Sequence, residues 1–357
     1  MSQPLVSVVM GTYNGRRHII PAIASVLGQS LRDFELIIQD DGSTDQVGEV
    51  VEAFMRECGD PRIRFERHES NRGYAGTMNA LFAAVRGRYI VPMDHDDIAL
   101  PRRLEQAVVF LESHPDVDGC GAGHVVLRSP LSNAVRVRLH DARAVRREPD
   151  AVAAATLFGG LLYNPTTCLR NRVLSAVQPW HDTSLATGSD DDWFERLSAA
   201  GMRFAVLPQA AILYRRQPGS NSRKHPELAK SIRARIACRA AARLRPDAVP
   251  EELALHARLV VRDPGLGPED LPAIRAWFER LLTGALASVR YGPEALRQVL
   301  ARNWQRACAL AACHDLRAGL RAYGNFTTLL PYAGTRSLLY QYQRRKLEQI
   351  LHPGKRA

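Results

Sequence analysis

Two hydrophobic periods alternate over the first hundred residues. Leu5-Val6-Ser7-Val8-Val9-Met10 is a β-rich run closed by Gly11. Ile20, Ile23, Val26 and Leu27 follow at helical spacing, with Pro21 tolerated in the first turn. Phe34-Glu35-Leu36-Ile37-Ile38-Gln39 predicts a second strand, and Val47, Val50, Val51 and Phe54 a second helical stripe. Residues 62–66 read as a third strand, Met78, Leu81, Phe82 and Val85 as a third helix, and 89–93 as a fourth strand. This βαβαβαβ order predicts an α/β fold with a mostly parallel central sheet flanked by helices. Ligands of such sheets bind beyond the carboxyl ends of the strands. Three polar loops occupy those ends: Gly11-Thr12-Tyr13-Asn14-Gly15, Asp40-Asp41-Gly42-Ser43-Thr44-Asp45 and Asp94-His95-Asp96-Asp97.

The pattern weakens over 120–160, which is Arg-rich and irregular. From about residue 225 it changes character: Ala, Leu and Arg dominate. Leu228, Ile232, Ile236, Ala240 and Leu244 recur every four residues, as on one helix face. Pro246, Pro250, Pro264, Pro268 and Pro272 then predict short elements or loop, before helices at 273–282 and 294–313. The expected organisation is a domain over 1–222 and a basic, mainly helical region over 223–357.

Charge sharpens that division. The net charge is +11 over 357 residues, but residues 223–357 carry 24 Lys and Arg against 11 Asp and Glu, and the residues before them 24 against 26. The basic excess suits an anionic membrane surface, nucleic acid or an acidic protein, or equally a set of solvated helix faces. No apolar run approaches the ~20 residues a membrane span needs. No basic stretch followed by a long apolar run opens the chain, so no signal peptide is expected. Six cysteines at irregular spacing, none in a Cys-x-x-Cys pair, fit scattered reduced thiols and a cytoplasmic setting.

Three carboxylates in the tetrapeptide 94–97 repel one another unless a cation sits among them. Mg²⁺ or Mn²⁺ prefers carboxylate and phosphate oxygens, so one reading is a metal that grips a phosphate-bearing substrate. The other is an acidic loop that caps the helix starting near Pro101. Asp41 has two readings as well: a hydrogen-bond acceptor for a nucleobase ring N–H, or a member of the Asp-Gly-Ser turn. For Asp40 and Ser43 the turn is expected. The first strand is not followed by Gly-x-Gly-x-x-Gly, which argues against a dinucleotide-binding dehydrogenase.

Taken together, Ser7-Val8-Val9-Met10-Gly11-Thr12-Tyr13-Asn14-Gly15, Ser25-Val26-Leu27-Gly28-Gln29-Ser30, the segment 34–45, Asn71-Arg72-Gly73 with Asn79, and Asp94-His95-Asp96-Asp97-Ile98-Ala99-Leu100-Pro101-Arg102-Arg103-Leu104 resemble the family 2 glycosyltransferases of the GT-A fold. The resemblance covers roughly residues 5–222 and implies a nucleotide-sugar side in about 1–100 and an acceptor side in about 120–222. It implies a nucleotide-diphospho-sugar donor, an inverting sugar transfer to a saccharide or lipid-linked saccharide acceptor, and a place in bacterial polysaccharide or glycolipid synthesis. By the same resemblance Thr12, Tyr13, Asn14 and Asp41 serve the nucleotide end. Asp96, the last Asp of the family's DXD segment, holds Mg²⁺ or Mn²⁺, with Asp94 near the ribose or metal.

The family places its base in a Glu-Asp pair before Arg-Leu. Here that stretch is Ser189-Asp190-Asp191-Asp192-Trp193-Phe194-Glu195-Arg196-Leu197, with Ser where the family has Glu. Asp190, or else Asp191, is the implied base. The structural alternative is a helix start, with Ser189 as N-cap and acids in the first turn. Asn164-Pro165-Thr166-Thr167-Cys168-Leu169-Arg170 resembles the family's acceptor-side segment, and 213–222 the segment that closes the domain, with Gln217 where relatives carry His. Arg215 and Arg216 there are candidate phosphate contacts. A basic, apolar stretch with Leu338-Leu339-Tyr340 and Arg344-Arg345-Lys346 suits either peripheral contact with the inner face of the membrane or packing against the catalytic domain or a second subunit. Nucleic acid is not an expected partner. A nucleotidyltransferase with the same metal site, and a non-catalytic protein that binds polyanions or membranes through its tail, are the alternative functions. A processive synthase would need membrane helices and a Gln-x-x-Arg-Trp segment, and neither is in the sequence.

Overall fold

A computed structural model describes residues 3–127, 148–160, 162–216, 225–286 and 290–332. Gln217, the segment 217–222 and the stretch 338–351 lie outside the described residues. Strands β1 (Val6–Thr12), β2 (Phe34–Asp40), β3 (Ile63–Arg67) and β4 (Tyr89–Pro92) pair in parallel in the order β3-β2-β1-β4. Helices α1 (Ile19–Leu27), α2 (Val47–Cys58) and α3 (Gly73–Ala84) make the crossovers. The strand alternation feeds two cores. Val6, Val8, Met10, Leu36, Ile38, Tyr89 and Val91 pack with α1, α2 and α4 (Arg103–Ser113). The intervening Val9, Ile37 and Ile90 pack with Met78, Leu81 and Phe82 of α3 and with Trp193. Both faces are covered, as a parallel sheet requires.

Beyond β4 the sheet turns mixed. Its order continues β7-β6-β8-β5, with β5 (Ile98–Ala99), β6 (Gly119–Leu127), β7 (Cys168–Arg170) and β8 (Phe204–Arg215). β6 and β8 run parallel, whereas β4 with β7, β6 with β7 and β5 with β8 are antiparallel. The expected mostly parallel sheet is therefore accurate for the first four strands and is extended by a mixed half. Three residues in β7 and two in β5 are too few to show a period in the sequence.

The chain divides into two compact units. One comprises residues 1–152 and 161–226; the other joins 153–160 to the residues from 227 onward. The second takes in the end of α5 (Pro149–Thr156) and contains α7 (Pro226–Leu244, from its second residue on), α8 (Pro250–Val261), α9 (Leu271–Leu286), α10 (Pro293–His314) and α11 (Leu316–Asn325). The proline-rich stretch read as short elements or loop contains the twelve-residue helix α8. Its Pro250 occupies the first helical turn, where the missing N–H costs nothing. On α7, Ile232, Ile236, Ala240 and Leu244 are buried as expected, while Leu228 is exposed. Trp277, Phe278, Trp304 and Phe326 fill the core of this unit. His256 is fully buried within it, 2.6 Å by Nε2 from the Leu157 carbonyl and accepting from Trp277 Nε1 through Nδ1. Part of the basic charge is tied internally: Arg258 pairs with Asp263 and Asp270, and Arg280 with Asp247 and Glu252. No helix among the described residues is long and apolar enough to cross a membrane.

Candidate active site

The three polar loops meet at the carboxyl ends of β1, β2 and β4. The loop after β1 is stapled to the loop after β2. Asn14 donates its backbone N–H to Ser43 Oγ at 2.8 Å, and its Oδ1 accepts from Thr44 N at 2.9 Å. That geometry needs the left-handed backbone of Asn14 (φ 52°), which asparagine tolerates well. The Asn14 side chain is thus engaged within the protein. Asp40 accepts from Ser43 N at 3.0 Å, so both residues form the expected turn. Asp41 is buried; its Oδ1 accepts from Arg72 N at 2.8 Å and lies 3.2 Å from His68 Nδ1. Asp41 N in turn donates to the Thr12 carbonyl. Thr12 is buried, and its Oγ1 has no hydrogen-bond partner among the described residues, while Tyr13 stands 47% exposed beside it. An open cavity of about 650 Å³ borders these loops, lined by Asn14, Arg16, Arg17, Thr44, Asp45 and Gln46.

The loop after β4 packs onto the first loop at Gly15. A Cβ there would fall 2.4 Å from the His95 ring and 2.4 Å from Thr12 Oγ1, so only glycine lets the two loops approach. Carboxylate oxygens of Asp94, Asp96 and Asp97 come within 4.8 Å of one another. Asp97 also belongs to this cluster. It is fully buried and accepts from Arg215 N at 2.7 Å through Oδ1, while its Oδ2 has no hydrogen-bond partner among the described residues. Burial, then repulsion from Asp96 and Asp190, raises the Asp94 pKa; burial, then Asp94, raises that of Asp97. Arg215 Nε donates to the Asp96 carbonyl at 2.9 Å, which places that guanidinium beside the cluster.

One cation below the cluster is absent from the sequence-based site. Arg103 of α4 is buried, donates to the Pro92 carbonyl at 2.7 Å, and its charge opposes the rise at both Asp94 and Asp97. It stands in the segment quoted for the family resemblance, but nothing local tells a buried arginine from the solvated Arg102 beside it.

Asp190 and Asp191 sit in the first turn of α6 (Ser189–Ala199). The expected capping is corrected here: Gly188, with φ 70°, is the N-cap, and Ser189 is the first helical residue. Ser189 Oγ instead lies 3.1 Å from His181 Nδ1. The Asp192 carboxylate is turned to Arg196 at 2.7 Å, and Arg196 also holds the carbonyls of Pro179 and Trp180 at 2.6 Å. Asn79 clamps the backbone of His181 through two bonds of 2.9 Å. The start of α6 is therefore anchored to α3, and it brings Asp190 close enough to Asp94 for their charges to repel. Asn164, at a 3₁₀ turn (Asn164–Thr166), donates from Nδ2 to the Tyr74 hydroxyl at 2.6 Å.

Residues 7–144 match the family model described as glycosyl transferase family 2. The putative glycosyltransferase EpsE of Bacillus subtilis is 38% identical over 125 residues, 35% of this chain and 45% of that protein. The succinoglycan biosynthesis protein ExoO of Rhizobium meliloti is 30% identical over 229 residues, 62% of this chain and 63% of that one. The chain thus spans about half to two thirds of these relatives. Among solved structures, Staphylococcus aureus TarS 1–349 in complex with UDP-GlcNAc superposes with a TM-score of 0.56 at 16% identity, covering 92% of this chain and 91% of that one. The mannosyltransferase PcManGT from Pyrobaculum calidifontis, in complex with GDP-Man and Mn²⁺, gives 0.52 at 18%, covering 97% and 88%. At these identities the two structures establish likeness of fold, and that fold is GT-A-like.

Proposed function

We propose that the protein, whose residues 7–144 match the family model described as glycosyl transferase family 2, moves a sugar from a nucleotide-diphospho-sugar donor to an acceptor hydroxyl with inversion at the anomeric carbon. The observation that carries this reading is the convergence of the Asp94, Asp96 and Asp97 carboxylates within 4.8 Å of one another beyond the carboxyl end of β4. The first turn of α6, which carries Asp190, is tied to α3 through His181 and Asn79, and the Asp190 charge adds to the rise of the Asp94 pKa, so a phosphate-handling end and a proton-accepting end would share one space. The nucleotide would enter along the loops that carry Thr12, Tyr13 and Asp41. Arg16, Arg17 and Arg215 supply positive charge near its phosphates.

The acidic cluster fits a hard divalent ion. Three carboxylates converge, two of them are destabilised as anions, and one buried oxygen lacks a hydrogen-bond partner among the described residues. Asp96, with Asp94 and Asp97, would hold Mg²⁺ or Mn²⁺. Such an ion, when bound, neutralises charge that develops on the departing diphosphate. Asp190 would accept the proton of the acceptor hydroxyl as its oxygen bonds to the anomeric carbon and the bond to the phosphate oxygen breaks. Asp191, one residue further into the helix, is the alternative base. The acceptor would be a saccharide, free or lipid-linked, on a bacterial surface-glycan pathway. EpsE and ExoO, the latter named for succinoglycan biosynthesis, support that class. Contact with a membrane surface through the basic C-terminal region, from the cytoplasmic side, belongs to the same proposal.

A thermal-shift panel of UDP-, dTDP- and GDP-sugars, with and without Mn²⁺, tests the reading. At least one nucleotide sugar should stabilise the protein, more strongly with the metal, and Asp96→Ala should abolish the metal-dependent part. Release of a nucleoside diphosphate on turnover is expected; release of pyrophosphate would point to nucleotidyl transfer instead.

A further inference from the structure

Tyr74 stands out in no local sequence pattern, yet it lies where the two ends of the site meet. It is the second residue of α3, whose first residue Gly73 has φ 72°. Its hydroxyl accepts from Nδ2 of the buried Asn164 at 2.6 Å. Its ring meets that of His181 edge-on, with centroids 5.7 Å apart. His181 is in turn 3.1 Å from Ser189, the residue before Asp190. Tyr74 is thus held between the 164–166 turn and the start of α6. Tyr74 is 38% exposed overall, so a ligand can reach it, while desolvation around its hydroxyl, then the negative charges of Asp190 and Asp94, raises its pKa. Because Asn164 occupies a lone pair of the oxygen, the phenolic O–H remains available as a donor.

We propose that Tyr74, oriented by Asn164, donates a hydrogen bond to the transferred sugar and so separates the nucleotide sugar from the bare nucleotide. The inference rests on the donor reading above. In an inverting displacement the anomeric carbon lies between the departing phosphate oxygen and the attacking hydroxyl. A side chain within reach of carboxylates at both ends therefore flanks the sugar ring. A neutral O–H suits that place, because it reads a ring hydroxyl without adding a third negative charge. Tyr74 contacts the substrate, and Asn164 is a positioning residue that acts through it.

Tyr74→Phe keeps the ring against His181 and removes only the hydroxyl. Calorimetric titration with UDP-, dTDP- and GDP-sugars in Mn²⁺, each paired with UDP, dTDP or GDP alone, reads the sugar's share of binding. The expected result is a loss of about tenfold for the sugar donor that the wild type binds, with the bare nucleotide within about twofold. Asn164→Ala should give a smaller loss of the same kind, and combining it with Tyr74→Phe should cost nothing further. In turnover the loss should appear in KM for the donor, not in KM for the acceptor. Equal affinity of wild type and Tyr74→Phe for that donor overturns the inference and leaves the donor reading standing. Parallel weakening of the bare nucleotide also overturns it, since the hydroxyl would then serve the nucleotide or the fold. A wild type that binds no member of the panel overturns both.

Discussion

Three consecutive aspartates at the start of α6 have separable work. Asp192 is buried and committed to Arg196, so its loss should cost stability. The charge of Asp190 acts on Asp94 and Tyr74, raising the pKa of each. Asp190→Asn keeps the size and a helix-start polar group but cannot accept a proton. It should lower kcat by about 10²–10⁴, the usual share of a positioned general base, with KM for the donor within about twofold. Steady-state kinetics on Asp190→Asn and Asp191→Asn separate the two candidates. Unchanged kcat in Asp190→Asn with a large drop in Asp191→Asn would move the role one residue along.

At the scale of elements, the sheet divides its labour between its two ends. The carboxyl ends of β1, β2 and β4 carry the site. Near the amino ends, Glu35 of β2 is buried beside Ser7 of β1, whose Oγ donates to it at 2.6 Å. Arg86 donates through both its backbone and its side chain, and Arg64 adds a bond at 3.1 Å. Burial by itself would raise the pKa of Glu35; the bonds from Arg86, Ser7 and Arg64 outweigh it and hold the carboxyl below its ordinary value. Glu35→Ala leaves the Ser7 O–H and the Arg86 guanidinium without that acceptor, and the Arg86 N–H keeps only its 3.2 Å bond to Ser7 Oγ. It should lower the unfolding free energy by about 2–3 kcal/mol, with kcat unchanged because the site lies at the other end of the strands. Denaturant midpoints and initial rates on one preparation check both halves of that statement.

At the scale of the whole molecule, each unit contains a fully buried, uncharged histidine, His181 in one and His256 in the other. Burial, then Arg196, lowers the pKa of His181 to about 3. Burial lowers that of His256 to about 4, against a smaller opposing effect of the Leu157 carbonyl. Unfolding restores ordinary values near 6.5, so between these limits the unfolded chain binds the extra protons. The stabilisation is complete above about pH 6.5 and is lost as pH falls towards the folded values. For His256 the loss should reach about 2 kcal/mol by pH 5. Asp94 and Asp97, raised by burial, act in the opposite sense as pH falls, so the variants carry the test. His256→Phe should flatten the fall in Tm between pH 7 and pH 5, measured calorimetrically, relative to the wild type. An unaltered slope would show that His256 charges in the folded state.

Much of this was legible without coordinates, because period and turn chemistry are local. The alternation in 5–10 and 34–39, the helical stripes between them and the acid-rich tetrapeptide 94–97 each lie within a dozen residues. Parallel βαβ order alone then puts three polar loops on one rim. The roles of Asp40 and Ser43 followed from turn chemistry in the same way. What the sequence could not state are relations between distant residues. The charge of Asp190 acts on Asp94, ninety-six residues away in sequence, with α6 clamped to α3 through Asn79 and His181. Tyr74 meets Asn164 across ninety residues of chain, and Arg103 proves buried while its neighbour Arg102 is exposed. Gly15 matters for the His95 ring above it, which no turn rule contains. Burial and charge repulsion depend on which segments pack together, and that packing is a property of the assembled sheet rather than of any window along the chain.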